Sequence, residues 1–365
     1  FNAVGYLWKK ALPDGTPSRL TNGSDFEFEP SFSPDGNSLV YVSWSDQDKG
    51  AIQRISLAGG NPTKISQEKG IYRTPSYSPD GKTVVFRKEN GNGDQGLTYT
   101  VKPGIYSMDA AGGAENFITS QGQYPRFNTA GDRIFLQTGG TYFGALTKKL
   151  ISVNLNGKDQ KEHVKSKYAN WLVPSPDNKW IAFTNLHKVF VSPLLLNGKA
   201  IDLDNNSKSV PVSKLDKDAG VNIHWSPNSQ KIMWTLGDDY FSTNLKDRYS
   251  FLPGSPEKVE DPKATRTSVG LKIPVDKGSG RIAFTNARIL TMEGDEVIEN
   301  GTVLVNDNKI EALGADISIP DGTKTYDASG KTIMPGLVDA HAHIGAFRYG
   351  LTPQQNWQFM ANLAF

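Results

Sequence analysis

Apolar residues in this chain come in short runs broken by turn residues, and the runs repeat. Residues 29–44 read E-P-S-F-S-P-D-G-N-S-L-V-Y-V-S-W, and residues 74–88 read T-P-S-Y-S-P-D-G-K-T-V-V-F-R-K. Weaker copies start at Tyr124, Leu172 and Ile223. The turn residues Gly36, Gly81, Gly131, Asn178 and Ser229 are spaced by 45, 50, 47 and 51. A second signature falls between the copies, from Leu12 (L-P-D-G-T-P-S-R-L-T), Leu57 (L-A-G-G-N-P-T-K-I-S) and Ala110 (A-A-G-G-A-E-N-F-I-T). In one unit, Pro34 fixes φ for a tight turn and Gly36 can leave it with φ > 0. A short strand precedes the turn, and an apolar strand over residues 39–44 follows it. Two more strands flank the Gly-Gly turn. Four antiparallel strands per ~45 residues, repeated, predict a β-propeller whose blades bury their faces against one another.

The copies also predict where the first unit begins. Residues 1–8 continue in the register of residues 183–190, with Phe1 on Phe183, so Phe1 reads as the end of a blade's second strand. Five S-P-D-G-type units plus this partial one predict six blades, the first incomplete and its outermost pieces upstream. The S-P-D-G and G-G…L-T pattern over residues 1–252 resembles the TolB-like β-propeller family. Trp44, Trp171, Trp225 and Trp234 fall at or near equivalent blade positions and read as packing residues. Gly81-Lys82-Thr83 and Gly330-Lys331-Thr332 lack the upstream glycine of a phosphate loop, and no G-x-S-x-G elbow occurs.

Composition narrows the functional classes. Forty basic and 38 acidic residues give a net charge of +2, with no basic tract, so nothing calls for nucleic acid. Lys148-Lys149, the longest basic cluster, reads as solvated surface. The absence of cysteine excludes disulfides, thiolate metal sites and cysteine nucleophiles. No stretch approaches the ~18 consecutive apolar residues of a membrane span. The chain opens on Phe1 and shows no signal peptide. By the TolB resemblance the protein would be periplasmic or secreted.

Residues 253–280 are rich in Pro, Gly and charge and predict a linker. Strands then resume without the propeller period: residues 281–292, residues 301–305 and 309–313 around Asn306-Asp307-Asn308, and residues 331–338. The last runs into I-M-P-G-L-V-D-A-H-A-H. This succession is similar to the N-terminal part of the amidohydrolase superfamily. The resemblance implies a small β-sandwich segment over residues 281–336. It also implies the first strand and helix of a (β/α)₈ TIM barrel over residues 337–365, truncated. Thr352-Pro353-Gln354-Gln355 is a capping box with Pro at the first helical position and predicts a helix to Phe365.

His341 and His343 are two apart, so on a strand both imidazoles point to one face. The resemblance makes them metal ligands at the mouth of the barrel, for zinc, binuclear in the intact protein, or another divalent metal. Asp339 shares their face; it either orients a ligand from behind or caps the strand. The family's remaining ligands and its catalytic aspartate would lie beyond Phe365, because a barrel takes ~250 residues. A homo-oligomer or a second polypeptide supplying the rest of the barrel would be needed if they did not. His163, in K-E-H-V-K, reads as a solvated turn residue, His187 as a blade turn, and His224 as a packed strand residue. The expectation is a metal-dependent amidohydrolase acting on a small amide or dipeptide-like substrate, with the propeller as lid or docking domain. The alternatives are a TolB-like protein–protein interaction module of the cell envelope, or an inactive fragment.

Overall fold

The computed structural model describes residues 1–92, 97–100, 102–140 and 146–338. It divides into two units, Phe1–Leu271 and a second beginning at Lys272. Among the described residues the chain is almost entirely β, with a single 3-10 turn at Leu245–Arg248.

The first unit holds six successive blade sheets, besides a two-stranded antiparallel pair of Gly91–Asn92 and Leu97–Thr98. The first is three-stranded, from Asn2–Ala3, Tyr6–Lys9 and Ser18–Arg19. The second pairs Phe26–Phe32, Ser38–Ser45, Lys49–Ser56 and Thr63–Lys64 in chain order. The third repeats this with Ile71–Tyr77, Thr83–Glu89, Gly104–Asp109 and Asn116–Thr119. The fourth runs Gln123–Phe127, Arg133–Gly139, Thr147–Asn154 and Lys161–Lys167, and gains Ile201–Asp202 as a parallel fifth strand. Leu172–Pro174, Trp180–Asn185, Lys188–Pro193 and Ser213–Lys214 form the fifth. The sixth has Val221–Trp225, Lys231–Leu236, Asp239–Asn244 and Thr265–Ser268.

The fully apolar second strands now have a reason. Successive side chains alternate between faces, and here both faces meet a neighbouring sheet. Leu39 and Tyr41 pack with Leu7 of the first sheet, while Val40 and Val42 pack with Tyr72, Val84 and Phe86 of the third. Val85 joins Ile134 and Leu136 of the fourth sheet, and Phe135 joins Ile181 and Phe183 of the fifth. Ala182 joins Ile223, Ile232 and Trp234 of the sixth. Across the seam between sixth and first sheets, the Lys10 ammonium donates to the Ser268 carbonyl at 2.6 Å and the Val269 carbonyl at 3.2 Å.

The repeated turn is one hydrogen-bonded device. Gly36, Gly81, Gly131, Asn178 and Ser229 all have positive φ. The Ser78, Ser175 and Ser226 hydroxyls accept from the backbone N–H five residues on, at 2.9, 3.0 and 2.9 Å. Asp80, Asp177 and Asn228 accept from the N–H two residues on. In the fourth sheet, Asn128 replaces the serine and its Oδ1 accepts from Arg133 N–H at 3.0 Å. Ser175 is buried, so Ser175→Ala leaves the Trp180 N–H without its acceptor. We expect a loss of about 1 kcal/mol in chemical denaturation, and an unchanged midpoint would dismiss the turn as a stabilising device.

Two expectations are corrected here. Residues 253–280 are not wholly a linker, because Thr265–Ser268 pairs with Asp239–Asn244 as the outer strand of the sixth sheet. The strand expected over residues 331–338 shrinks to Thr332–Ile333, parallel to Arg281–Leu290. Beyond it Leu337 and Val338 are over 90% exposed, at 91% and 92%. Among the described residues they have no neighbouring strand to take their backbone groups.

In the second unit, Arg281–Leu290, Val297–Asn306, Lys309–Gly314, Lys324–Asp327 and Thr332–Ile333 form one mixed sheet. Its core is Ala287, Ile289, Val303 and Ala328. The described residues of this unit form a single sheet rather than two facing ones. The barrel strand and helix expected over residues 337–365 lie, from residue 339 on, outside the described residues.

Candidate functional site

His341, His343 and Asp339 lie outside the described residues. Among the described residues no group of three or more His, Asp or Glu side chains stands together as a metal-holding set. The described chemistry sits instead in the propeller unit, on the first strand of each sheet.

Those first strands lie beside one another: Phe26–Phe32 against Ile71–Tyr77, and that strand against Gln123–Phe127. They are therefore the axial strands. Four of the first strands carry a bulge where the register slips, between Phe28 and Ser31, Arg73 and Ser76, Gln123 and Arg126, and Val221 and His224; Leu172–Pro174 of the fifth sheet pairs without one. At each bulge a non-glycine residue takes positive φ: Glu29, Thr74, Tyr124 and Asn222. Non-glycine residues pay for that conformation with steric strain, and such bulges re-aim side chains. Pro follows in three of the four, at Pro30, Pro75 and Pro125.

The bulge residues form one tier of axial contacts. The Glu29 carboxylate accepts from the Arg73 guanidinium, with Nε at 2.9 Å, and from the Thr74 backbone N–H. This ties the second sheet to the third. Tyr124 and Trp171 meet edge to face with centroids 4.7 Å apart, tying the fourth sheet to the fifth. Burial pushes the Tyr124 phenol up to about 12, with Arg73 working against it. This tier is neutralised and internally partnered.

The next position along these strands holds Ser31, Ser76, Arg126, Val173 and His224 in the second to sixth sheets. Arg126 is exposed, yet burial pulls its pKa down and no acidic group counters that. His224 is half-buried, and its Nδ1 lies 3.0 Å from the Asn222 carbonyl oxygen. Facing a carbonyl, Nδ1 must carry the proton. Burial lowers the His224 pKa, the Asn222 carbonyl opposes that, and the Arg126 charge lowers it further. The Tyr240 ring lies 6.0 Å from the imidazole.

The other histidines separate by environment. His163 is not a solvated turn residue: it is buried in Lys161–Lys167, its Nε2 is 2.8 Å from Ser152 Oγ, and its ring meets Phe135. His187 stands in the turn before Lys188–Pro193. Lys148 was expected on solvated surface, but it is half-buried and burial lowers its pKa; Lys149 pairs with Glu162 at 2.8 Å. Trp44, Trp225 and Trp234 are buried and Trp171 packs on the fifth–sixth core, so the tryptophans do serve packing. Sequence reading passed over Arg126. Its signal was a column: aligned on the turn, the copies place Arg126 and His224 where the second and third units have serine.

Six sheets of antiparallel strands, each sharing a core with its neighbour, define a β-propeller. The model of PD40, the TolB beta propeller domain, matches residues 8–190, and the chain belongs to that family. The tricorn protease structure is similar at a TM-score of 0.52 with 13% identity, covering 83% of this chain and 28% of that one, a likeness of fold alone. Two short stretches of similarity have a different character. An L-hydantoinase of Paenarthrobacter aurescens is 42% identical over 63 residues, which is 17% of this chain and 13% of the enzyme. An imidazolonepropionase of Staphylococcus aureus is 50% identical over 48 residues, 13% of this chain and 12% of the enzyme. The chain thus spans only about an eighth of the length of these curated relatives.

Proposed function

We propose that this chain contributes a propeller and two metal ligands, His341 and His343, to an amidohydrolase that cleaves a C–N bond in a small amide. The observation that carries this reading is the short but high identity to the hydantoinase and the imidazolonepropionase. The P-G-L-V-D-A-H-A-H motif is its residue-level counterpart. Two neutral imidazoles suit zinc, and a catalytic zinc makes bound water a nucleophile near neutral pH. Asp339 would orient one imidazole, and the rest of the barrel, with the proton-handling aspartate, would come from beyond residue 365 or from another polypeptide. Substrates would be acylated amino acids, dipeptide-like amides or cyclic amides. An envelope location, periplasmic or secreted, follows from the TolB kinship.

The test is metal content of the purified protein, followed by turnover on an amide panel. Bound zinc near stoichiometry, with hydrolysis lost in His341→Ala and His343→Ala, supports the enzyme. A protein with the barrel complete, in one chain or with the second polypeptide added, that binds no zinc and hydrolyses nothing sinks it. The second reading, an envelope interaction module, is favoured by the weight of the described structure, which is mostly propeller. It predicts that residues 1–271 alone retain partner binding.

A further inference from the structure

We propose that the propeller docks on an anionic membrane surface, with Leu146, Tyr168, Leu186 and Val221 entering the headgroup layer and Lys167 and Lys217 meeting lipid phosphates. The argument concerns the first unit alone and does not depend on the hydrolase reading.

Topology gathers these residues at one end of the propeller. Strands alternate in direction within each blade, so the S-P-D-G turns and the outer turns emerge at one end. The turns between second and third strands, and the connections to the next sheet, emerge at the other. Leu146 and Leu186 lie in turns of the first kind, and Tyr168 and Val221 belong to connections of the second. Backbone hydrogen bonds join these segments in succession. The Tyr168 N–H donates to the Leu146 carbonyl at 3.4 Å, the Leu186 N–H to the Tyr168 carbonyl at 2.9 Å, and the Gly220 N–H to the His187 carbonyl at 3.0 Å. The Lys188 ammonium straps the same connection down, donating to the Lys217 carbonyl at 2.8 Å. One ribbon of turns thus runs from the fourth sheet to the sixth.

This ribbon is costly to build. Leu146, Tyr168, Leu186 and Val221 are 39, 41, 55 and 46% exposed. Tyr168 and Leu186 also take φ of +67° and +57°. Bulky side chains seldom adopt that region, whereas Gly or Asn does so at less cost. Strain and exposed apolar surface at the same positions are what folding alone disfavours, and such a combination marks a surface with a use.

Charge selects the partner. Lys167 and Lys217 are exposed and make no ion pair among the described residues; the Lys167 ammonium lies 5.0 Å from the centre of the Tyr168 ring. Asp218 is the exposed acidic residue of these turns, while the acidic turns with Asp46 and Asp48 and with Asp238 belong to the second and sixth sheets. A protein partner anchors best where a pocket desolvates the anchor. These four side chains instead stand out singly from turns, with polar Asn170, His187 and Asn222 exposed between them. A bilayer interface takes protruding aliphatic side chains without a pocket, favours Tyr at headgroup level, and draws lysines to anionic lipid.

The test is sedimentation of the full chain with vesicles near pH 7.5. We expect binding when phosphatidylglycerol makes up about a third of a phosphatidylcholine vesicle, and at least tenfold weaker binding to phosphatidylcholine alone or at about 0.5 M salt. Lys167→Gln and Lys217→Gln should each weaken it about fivefold. The double variant Tyr168→Asn/Leu186→Asn should weaken it at least tenfold. Because Asn tolerates positive φ, that variant should keep or raise the thermal midpoint, which separates lost docking from lost fold. Equal binding by the double variant overturns the ribbon as the docking surface. Equal binding to phosphatidylcholine alone overturns the anionic class. No binding to the anionic vesicles overturns the membrane assignment and leaves this face to a protein partner. A failure of zinc-dependent hydrolysis leaves these outcomes untouched.

Discussion

Lys88→Met is expected to destabilise the propeller by about 3–5 kcal/mol, the cost typical of breaking a buried ion pair from one side. Lys88 is 1% exposed, and the Glu115 side chain, 2.7 Å away, is 2% exposed. Glu68 also reaches the ammonium but is mostly exposed. Burial alone would lower the lysine's pKa; Glu115 and Glu68 outweigh it and the net direction is upward. Tyr72 and Tyr106 place their rings 5.5 and 5.0 Å from the ammonium. The Glu115 carboxylate does more than pair: its Oε1 accepts from the Tyr72 hydroxyl at 2.7 Å and the Gln67 N–H at 3.2 Å. Removing Lys88 therefore leaves a buried carboxylate held in place by neutral donors, with its countercharge gone. Adding Glu115→Gln should return part of the loss, since the amide oxygen keeps those acceptor bonds and discards the stranded charge. Denaturant midpoints of wild type, both single variants and the double variant give the coupling. Additive losses would show that Lys88 and Glu115 do not act as a pair.

None of that cluster was visible in the sequence, where Lys88 simply ends the apolar run after the second S-P-D-G. What repeats was visible. The five residues singled out as turn exits all adopt positive φ. The alignment of Phe1 on Phe183 holds to the residue: Asn2 pairs with Leu7 as Thr184 pairs with Val189, and Val4 and Leu186 share a positive φ. Local chemistry fixes such features, so each copy restates it. Thr265–Ser268 escaped because an outermost strand is solvated; T-R-T-S shows no apolar alternation, and only one of the four residues is even half-buried. His163 escaped for a different reason. Its strand pairs Leu150 with Val164 and Ile151 with Glu162, leaving His163 as the extra residue of a bulge. The bulge turns both His163 and Val164 inward, which period-2 reading cannot foresee. The histidine pair is the reverse case: His341 and His343 are plain in the sequence, and their setting lies outside the described residues.

The buried His163 sets the second large effect, a loss of stability in mild acid. Burial drives its pKa down to about 4, with Arg133 and Lys161 adding to the push. Ser152 Oγ accepts from Arg133 Nε at 3.0 Å, so the hydroxyl proton is free to go to His163 Nε2 at 2.8 Å. The neutral ring is thus the form the site selects. In the unfolded chain the same imidazole titrates near 6.5. Between these values the unfolded state binds more protons, so stability falls as pH drops below about 6.5 and levels off below about 4. Above 6.5 the contribution is complete. The integrated loss is on the order of 3 kcal/mol. His163→Gln keeps an acceptor for Ser152 but cannot take up the proton. It should flatten this part of the profile, so that the difference between wild type and variant changes by that amount between pH 7 and pH 4. Chemical denaturation at half-unit pH steps measures it, and parallel profiles for the two proteins would exclude His163 as the source of acid sensitivity.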